Sequence, residues 1–260
     1  MKNLIRYDLR RILKDKLVII VTICMVALEI GVSGIFIAAF RYSAGNAIMQ
    51  SKDLIFFVYS SFNYGITFME IMLLIILSKE YTQGTIRNKI VAGYSKSEIY
   101  FSNLLTTVIC CFSIFLFAFI INFVFCVSLN GFGEVNNIGT YLLKHFSQMI
   151  YILFLIVLVH FLSSTFKSIG APLGIMIGLC IGLPNILLML SPLSQINETA
   201  YYILMIFPQH HNVMSSLGPI MGFASFIETQ QYLYYILIEL GYIALMIFGG
   251  VTKYRKSDFK

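Results

Sequence analysis

Six apolar runs, each about as long as a membrane is thick, constrain this chain more than anything else in it. They fall at about 17–40, 54–77, 101–129, 147–166, 169–190 and 233–251. A hydrocarbon core about 30 Å thick is crossed by roughly 20 apolar residues in a helix. Backbone polar groups find no water there, so only helices or a closed barrel can span it. Alternating ten-residue strands of the barrel kind are absent, which predicts an all-α membrane protein with six transmembrane helices. With 58% hydrophobic and 12% charged residues, the composition excludes an ordinary water-soluble globule.

The cations give the orientation. Lys2, Arg6, Arg10, Arg11, Lys14 and Lys16 precede the first run, Lys79, Arg87, Lys89 and Lys96 follow the second, Lys167 separates the fourth and fifth, and Lys253, Arg255, Lys256 and Lys260 end the chain. Only Arg41, Lys52 and Lys144 fall on the other side. The positive-inside rule therefore predicts both termini in the cytoplasm, and an even number of spans agrees with this. These cations lie within a turn or two of the membrane ends, where topology and anionic lipid headgroups explain them better than nucleic acid does. The first apolar run is too long for a cleavable signal peptide.

Residues 1–260 read as a single membrane domain without repeats or linkers. In the first sixteen residues Leu4, Ile5, Leu9, Ile12 and Leu13 form a stripe with Lys2, Arg6, Arg10 and Lys14 around it, predicting an amphipathic helix in the interface. Between 169 and 190, Pro172 and Pro184 predict a kinked helix, and Gly170, Gly174, Gly178 and Gly182, each four apart, predict close helix packing. The stretch 191–232 has no Lys or Arg and is broken by Pro192, Pro208, Gly218, Pro219 and Gly222, which predicts an outer, re-entrant pair of short helices.

Motifs for catalysis are missing. No glycine loop followed by Lys and Ser or Thr is present to cradle phosphates, so the chain carries no ATPase of its own. His145, His160 and the adjacent His210 and His211 lack metal-ligand spacing and read as structural or interfacial. Cys24, Cys110, Cys111, Cys126 and Cys180 all fall in apolar runs and read as packing residues. Three carboxylates do lie inside spans: Glu29, Glu70 and Glu239. A lone carboxylate in hydrocarbon costs at least about 2.5 kcal/mol, so each should face a partner, a protein interior or a polar path.

The island from Ser78 to Tyr100, SKEYTQGTIRNKIVAGYSKSEIY, is the one charged, helix-capable segment between two spans. Gly84 can break the preceding helix, Thr85 can cap the next, Gly93 can end it, and Ser95 with Glu98 has the form of a capping box that restarts a helix. Its EYTQGTIRNKI resembles the cytoplasmic coupling element of ABC-2 type transporter permeases, also called type V exporters, and the layout of the whole chain is similar to theirs. The narrower likeness is to short bacterial permeases for export of, or immunity against, antimicrobial and amphipathic peptides.

The resemblance implies a non-catalytic permease subunit in the bacterial cytoplasmic membrane. It would pair with an identical or related permease and engage two separate ATPase subunits that bind ATP and Mg, the chain itself needing no cofactor. The residues it assigns to ATPase coupling are Glu80, Gly84, Thr85, Arg87, Asn88 and Lys89, with Arg87, Asn88 and Lys89 projecting from the short helix and charge-assisted contacts from Glu80, Arg87 and Lys89 holding the docking site. Two other readings stand beside it. One is an autonomous proton-coupled transporter using Glu29 and Glu70, and the other is a non-transporting immunity protein that sequesters a peptide on residues 191–232.

Overall fold

The computed structural model describes residues 2–43, 69–130, 138–166, 168–211 and 229–257. Those residues are helical nearly throughout, with no strand among them. In chain order the elements are α1 (Lys2–Lys14), α2 (Lys16–Ser43), α3 (residues 69–82), α4 (Thr85–Val91), α5 (Lys96–Asn130) and α6 (Ile138–Phe166). Then come α7 (Gly170–Ile177), a π-helical turn (Gly178–Gly182), α8 (Leu183–Ile196), α9 (Glu198–Met205), α10 (residues 208–211) and α11 (Thr229–Lys256).

Among the described residues five helical segments are long and apolar enough to cross a membrane: Lys16–Ala39, Lys96–Leu129, His145–Phe166, Gly170–Leu190 and Gln231–Lys256. The predicted span at 54–77 lies largely outside the described residues; its described end belongs to α3, one of the most deeply buried helices. The tip of the predicted 191–232 segment, residues 212–228, also lies outside them.

α6 is the axis of the bundle. Within its apolar stretch 67% of residues are buried, against 11% for Gly170–Leu190, so the other helices are arranged around α6. α11 and α5 pack against it, α2 packs on α5, and α3 fills the interior with Met72, Leu73, Leu74 and Leu77. α5 has 35 residues. At 1.5 Å per residue it is roughly 52 Å long, so its ends extend beyond a 30 Å core.

α1, α4, the start of α5 and the end of α11 gather at one end, which we call the basic end. Arg255 Nε donates to Ser97 Oγ at 2.8 Å, and Lys89 of α4 bonds to Asp8 of α1. Between α1 and α2 stands a single residue, Asp15, whose Oδ1 accepts from Leu17 N at 2.9 Å and caps α2.

One expectation gains a local cause and another changes. The interruption between the two prolines is a π-helical turn. Pro184 has no N–H, and its ring opposes the carbonyl four residues earlier; the wider π turn takes up that conflict. The four glycines do not mediate close packing among the described residues, since a Cβ on Gly170, Gly174, Gly178 or Gly182 would meet nothing within 4 Å.

Candidate functional site

The island folds into a short helix held between two left-handed glycines. Gly84 at φ 70° turns the chain out of α3, a conformation that costs a side-chain-bearing residue roughly 1–2 kcal/mol. Gly93 at φ 91° ends α4, with Gly93 N donating to Ile90 O at 2.9 Å and Tyr94 N to Lys89 O at 3.2 Å, the paired bonds of a Schellman stop. The capping box forms before α5: Ser95 N and Oγ donate to Glu98 Oε2 at 2.9 and 2.8 Å, and Glu98 N donates back to Ser95 Oγ at 3.2 Å. Thr85 does not cap α4. Gly84 occupies that position, no side chain accepts from the first turn, and Thr85 is the first helical residue.

α4 is divided by its 3.6-residue period into two faces. Ile86 and Lys89 point inward, while Arg87, Asn88 and Val91 are exposed. Lys89 Nζ donates to Asp8 Oδ2 at 3.0 Å, Glu80 Oε2 at 3.2 Å and Asn103 Oδ1 at 2.8 Å. Asn103 Nδ2 donates to the same Glu80 oxygen at 2.9 Å, and Arg11 donates to Glu80 Oε1. Two carboxylates and two cations from α1, α3 and α4 thus close one network on the side chain of α5 Asn103. Asp8 is 1% exposed, Glu80 2%, Asn103 3% and Lys89 5%. Burial pushes the Asp8 carboxyl above its ordinary 3.8, against the pull of Lys89.

This corrects the sequence reading at Lys89, which was expected to project from the short helix. Glu80 and Lys89 cannot serve as contact charges for a partner, because both are buried and the three N–H donors of Lys89 are all used inside the chain. Of the predicted coupling residues, Arg87 and Asn88 are the two with exposed side chains.

Asp8, Arg11 and Asn103 were missed. The signal for Asp8 was present: it stands four residues after Leu4 and four before Ile12, in the middle of the buried stripe of α1. A carboxylate on an apolar face requires a partner, and sequence spacing does not say that the partner is 81 positions away.

The three intramembrane carboxylates stand on three different helices. Glu29 is buried in α2, and neither of its oxygens takes a hydrogen bond from a described residue. Glu70 Oε2 accepts from Cys180 Sγ at 2.9 Å. Glu239 Oε1 bonds His211 Nδ1 at 2.7 Å, and His211 Nε2 bonds Ser147 Oγ at 2.6 Å, joining α11, α10 and α6. His210 Nδ1 bonds Tyr235 Oη at 2.8 Å beside them.

The order carboxylate, imidazole, hydroxyl is the one that activates serine nucleophiles. Here Ser147, His211 and Glu239 are each 0% exposed, so a substrate carbonyl has no approach to Ser147 Oγ. The array instead ties three helices together at the end of the bundle opposite the basic one.

The helices and the two buried polar clusters define a multi-pass, all-α membrane protein. Residues 17–260 match the family described as "Protein of unknown function (DUF2705)", and the chain belongs to that family. No curated protein matches it.

Proposed function

We propose that this chain is the membrane-spanning subunit of an ATP-binding cassette exporter, driven by a separate ATPase and moving a hydrophobic or amphipathic substrate such as a peptide or antibiotic. The observation that carries this reading is the two-faced α4. Its inner face is bonded to α1, α3 and α5 through Lys89, and its outer face presents Arg87, Asn88 and Val91. A helix built this way passes a push from outside to three other helices at once, which a merely solvated loop does not.

In the full reading the basic end faces the cytoplasm of a bacterial cell, residues 54–77 complete a sixth span, and 191–232 dips back into the outer leaflet. Two permeases, identical or related, form the path, and two ATPase subunits supply ATP and Mg. Gathering of α1, α4 and the end of α11 at one end supports that orientation.

The test is purification of the tagged chain from its own host. An ATP-hydrolysing chain is expected to accompany it and to be lost in Arg87→Glu, which changes an exposed residue and leaves the fold intact. Gly84→Val is expected to retain the partner and to uncouple hydrolysis from transport. Absence of any ATP-hydrolysing chain beside the intact protein overturns the proposal.

A further inference from the structure

α5 and α11 both pack on α6, but they clasp each other near the basic end. There Arg255 bonds Ser97, Lys96 Nζ donates to Arg255 O at 3.2 Å and Ser257 O at 2.6 Å, and Gly250 lies so close to Tyr100 that a Cβ would overlap its hydroxyl. Further into the bundle the two helices part. They leave a groove of about 530 Å³ walled by Phe101, Leu105 and Val108 of α5, Val157 of α6, and Ile243 and Ile247 of α11.

Every one of these wall residues is apolar, so water gains nothing there. An empty groove forfeits dispersion contacts on its whole lining. Its filler must be apolar, and its position says which kind. From Arg255 to Ile243 is twelve residues of one helix, about 18 Å at 1.5 Å per residue, close to the roughly 15 Å of one leaflet of hydrocarbon. At the mouth, Arg255 is exposed with its Nε oriented by Ser97, and Lys253 and Lys256 are exposed on the same terminal turn. The nearby Glu98 carboxylate is engaged by the Ser95 cap. An apolar slot one leaflet deep under a cationic mouth matches the two halves of an anionic lipid, and the planar guanidinium suits phosphate in particular.

We propose that the groove between α5 and α11 holds an acyl chain of an anionic phospholipid whose phosphate rests on Arg255. The site is independent of what the protein transports. A lipid seated there braces the start of α5, the helix that supplies Asn103 to the buried charge network.

The chain contains no Trp, so an introduced one is the sole indole reporter. Leu105→Trp places it at the groove, with Ile247→Trp as a second groove position should the first fail to fold. Leu245→Trp, at a residue 70% exposed on α11, reports ordinary lipid contact at similar depth. Each variant is reconstituted in phosphatidylcholine vesicles carrying a minor, equal fraction of either phosphatidylglycerol or phosphatidylcholine brominated on the acyl chains.

Several-fold stronger quenching by the brominated phosphatidylglycerol is expected at the groove. Equal quenching by both lipids is expected in Leu245→Trp, and Arg255→Gln should abolish the groove preference. Equal quenching by both lipids at the groove reduces the site to passing lipid and overturns the proposal. So does a lack of quenching there, which means that a second copy or another protein covers it. Persistence of the preference in Arg255→Gln overturns the headgroup assignment.

Discussion

At the basic end of the bundle two carboxylates and two cations share one buried network, whereas at the far end a single carboxylate faces a histidine and a serine. The first arrangement places full charges against full charges: Lys89 lies 2.9 Å from Asp8 and 3.2 Å from Glu80, and each carboxylate has a cation beside it. Its gain is Coulombic, and its hazard is that deleting one member strands the others in a medium that cannot solvate them. The far-end array binds its helices through short hydrogen bonds to groups that have neutral forms, so its hazard is smaller. One end is a rigid clamp set by charge, the other an interhelix tie set by directional bonds.

The largest effect should come from removing the centre of the clamp. Lys89→Met is expected to lose about 3–5 kcal/mol, because two buried carboxylates lose their shared cation. Thermal unfolding in detergent reads this as a large drop in Tm or as failure to recover folded protein. A Tm near wild type would show that the carboxylates reach water, and the contrast between the two ends would disappear.

At the far end, Glu239→Leu is expected to cost less, about 1–3 kcal/mol, from the lost bond to His211 Nδ1 and the imidazole left without its acceptor. The same unfolding assay ranks it against Lys89→Met. A larger loss here would invert the comparison and make the Ser147–His211–Glu239 array the keystone.

The smallest effect is a slope with pH. Asp8 is raised in the folded chain by burial, so folding favours its protonated form. That contribution is complete below the unfolded value of about 3.8 and is lost as pH rises through the folded one. Wild type should therefore lose stability relative to Asp8→Asn as pH is raised from about 4 toward neutrality, read as the difference between their Tm values. A wild type that instead gains stability relative to Asp8→Asn as pH rises would mean that Lys89 outweighs burial.

What was legible in the sequence follows the range of the interaction. Five of the six apolar runs, the capping box of Ser95 and Glu98, and the stop at Gly93 depend on residues one to five positions apart, and these appear where spacing put them. Thr85 was misplaced as a cap because a left-handed Gly84 can hold that position without a side chain, and hydroxyl preference alone does not see this. His211 has the structural role its sequence context suggested, but its partners are 64 and 28 positions away, on α6 and α11, and spacing could not name them. Lys89 was recognised as important and given the wrong direction. Charge in a loop ordinarily faces water, and only the arrival of Asp8, on a helix at the other end of the sequence, turns it inward.

Asp15 gives the clamp a reach beyond its own contacts. Because only this one residue separates α1 from α2, the joint acts as an elbow with almost no slack. α1 is gripped at Asp8 and Arg11, so a force that displaces α4 swings α1, and the elbow turns that swing into a tilt of α2. α2 is 28 residues long. At 1.5 Å per residue it is a lever of about 42 Å, on which a tilt on the order of 5° moves the far end by about 4 Å. Mechanical gain of that size needs no flexible domain, only a short rigid arm joined without slack to a long one.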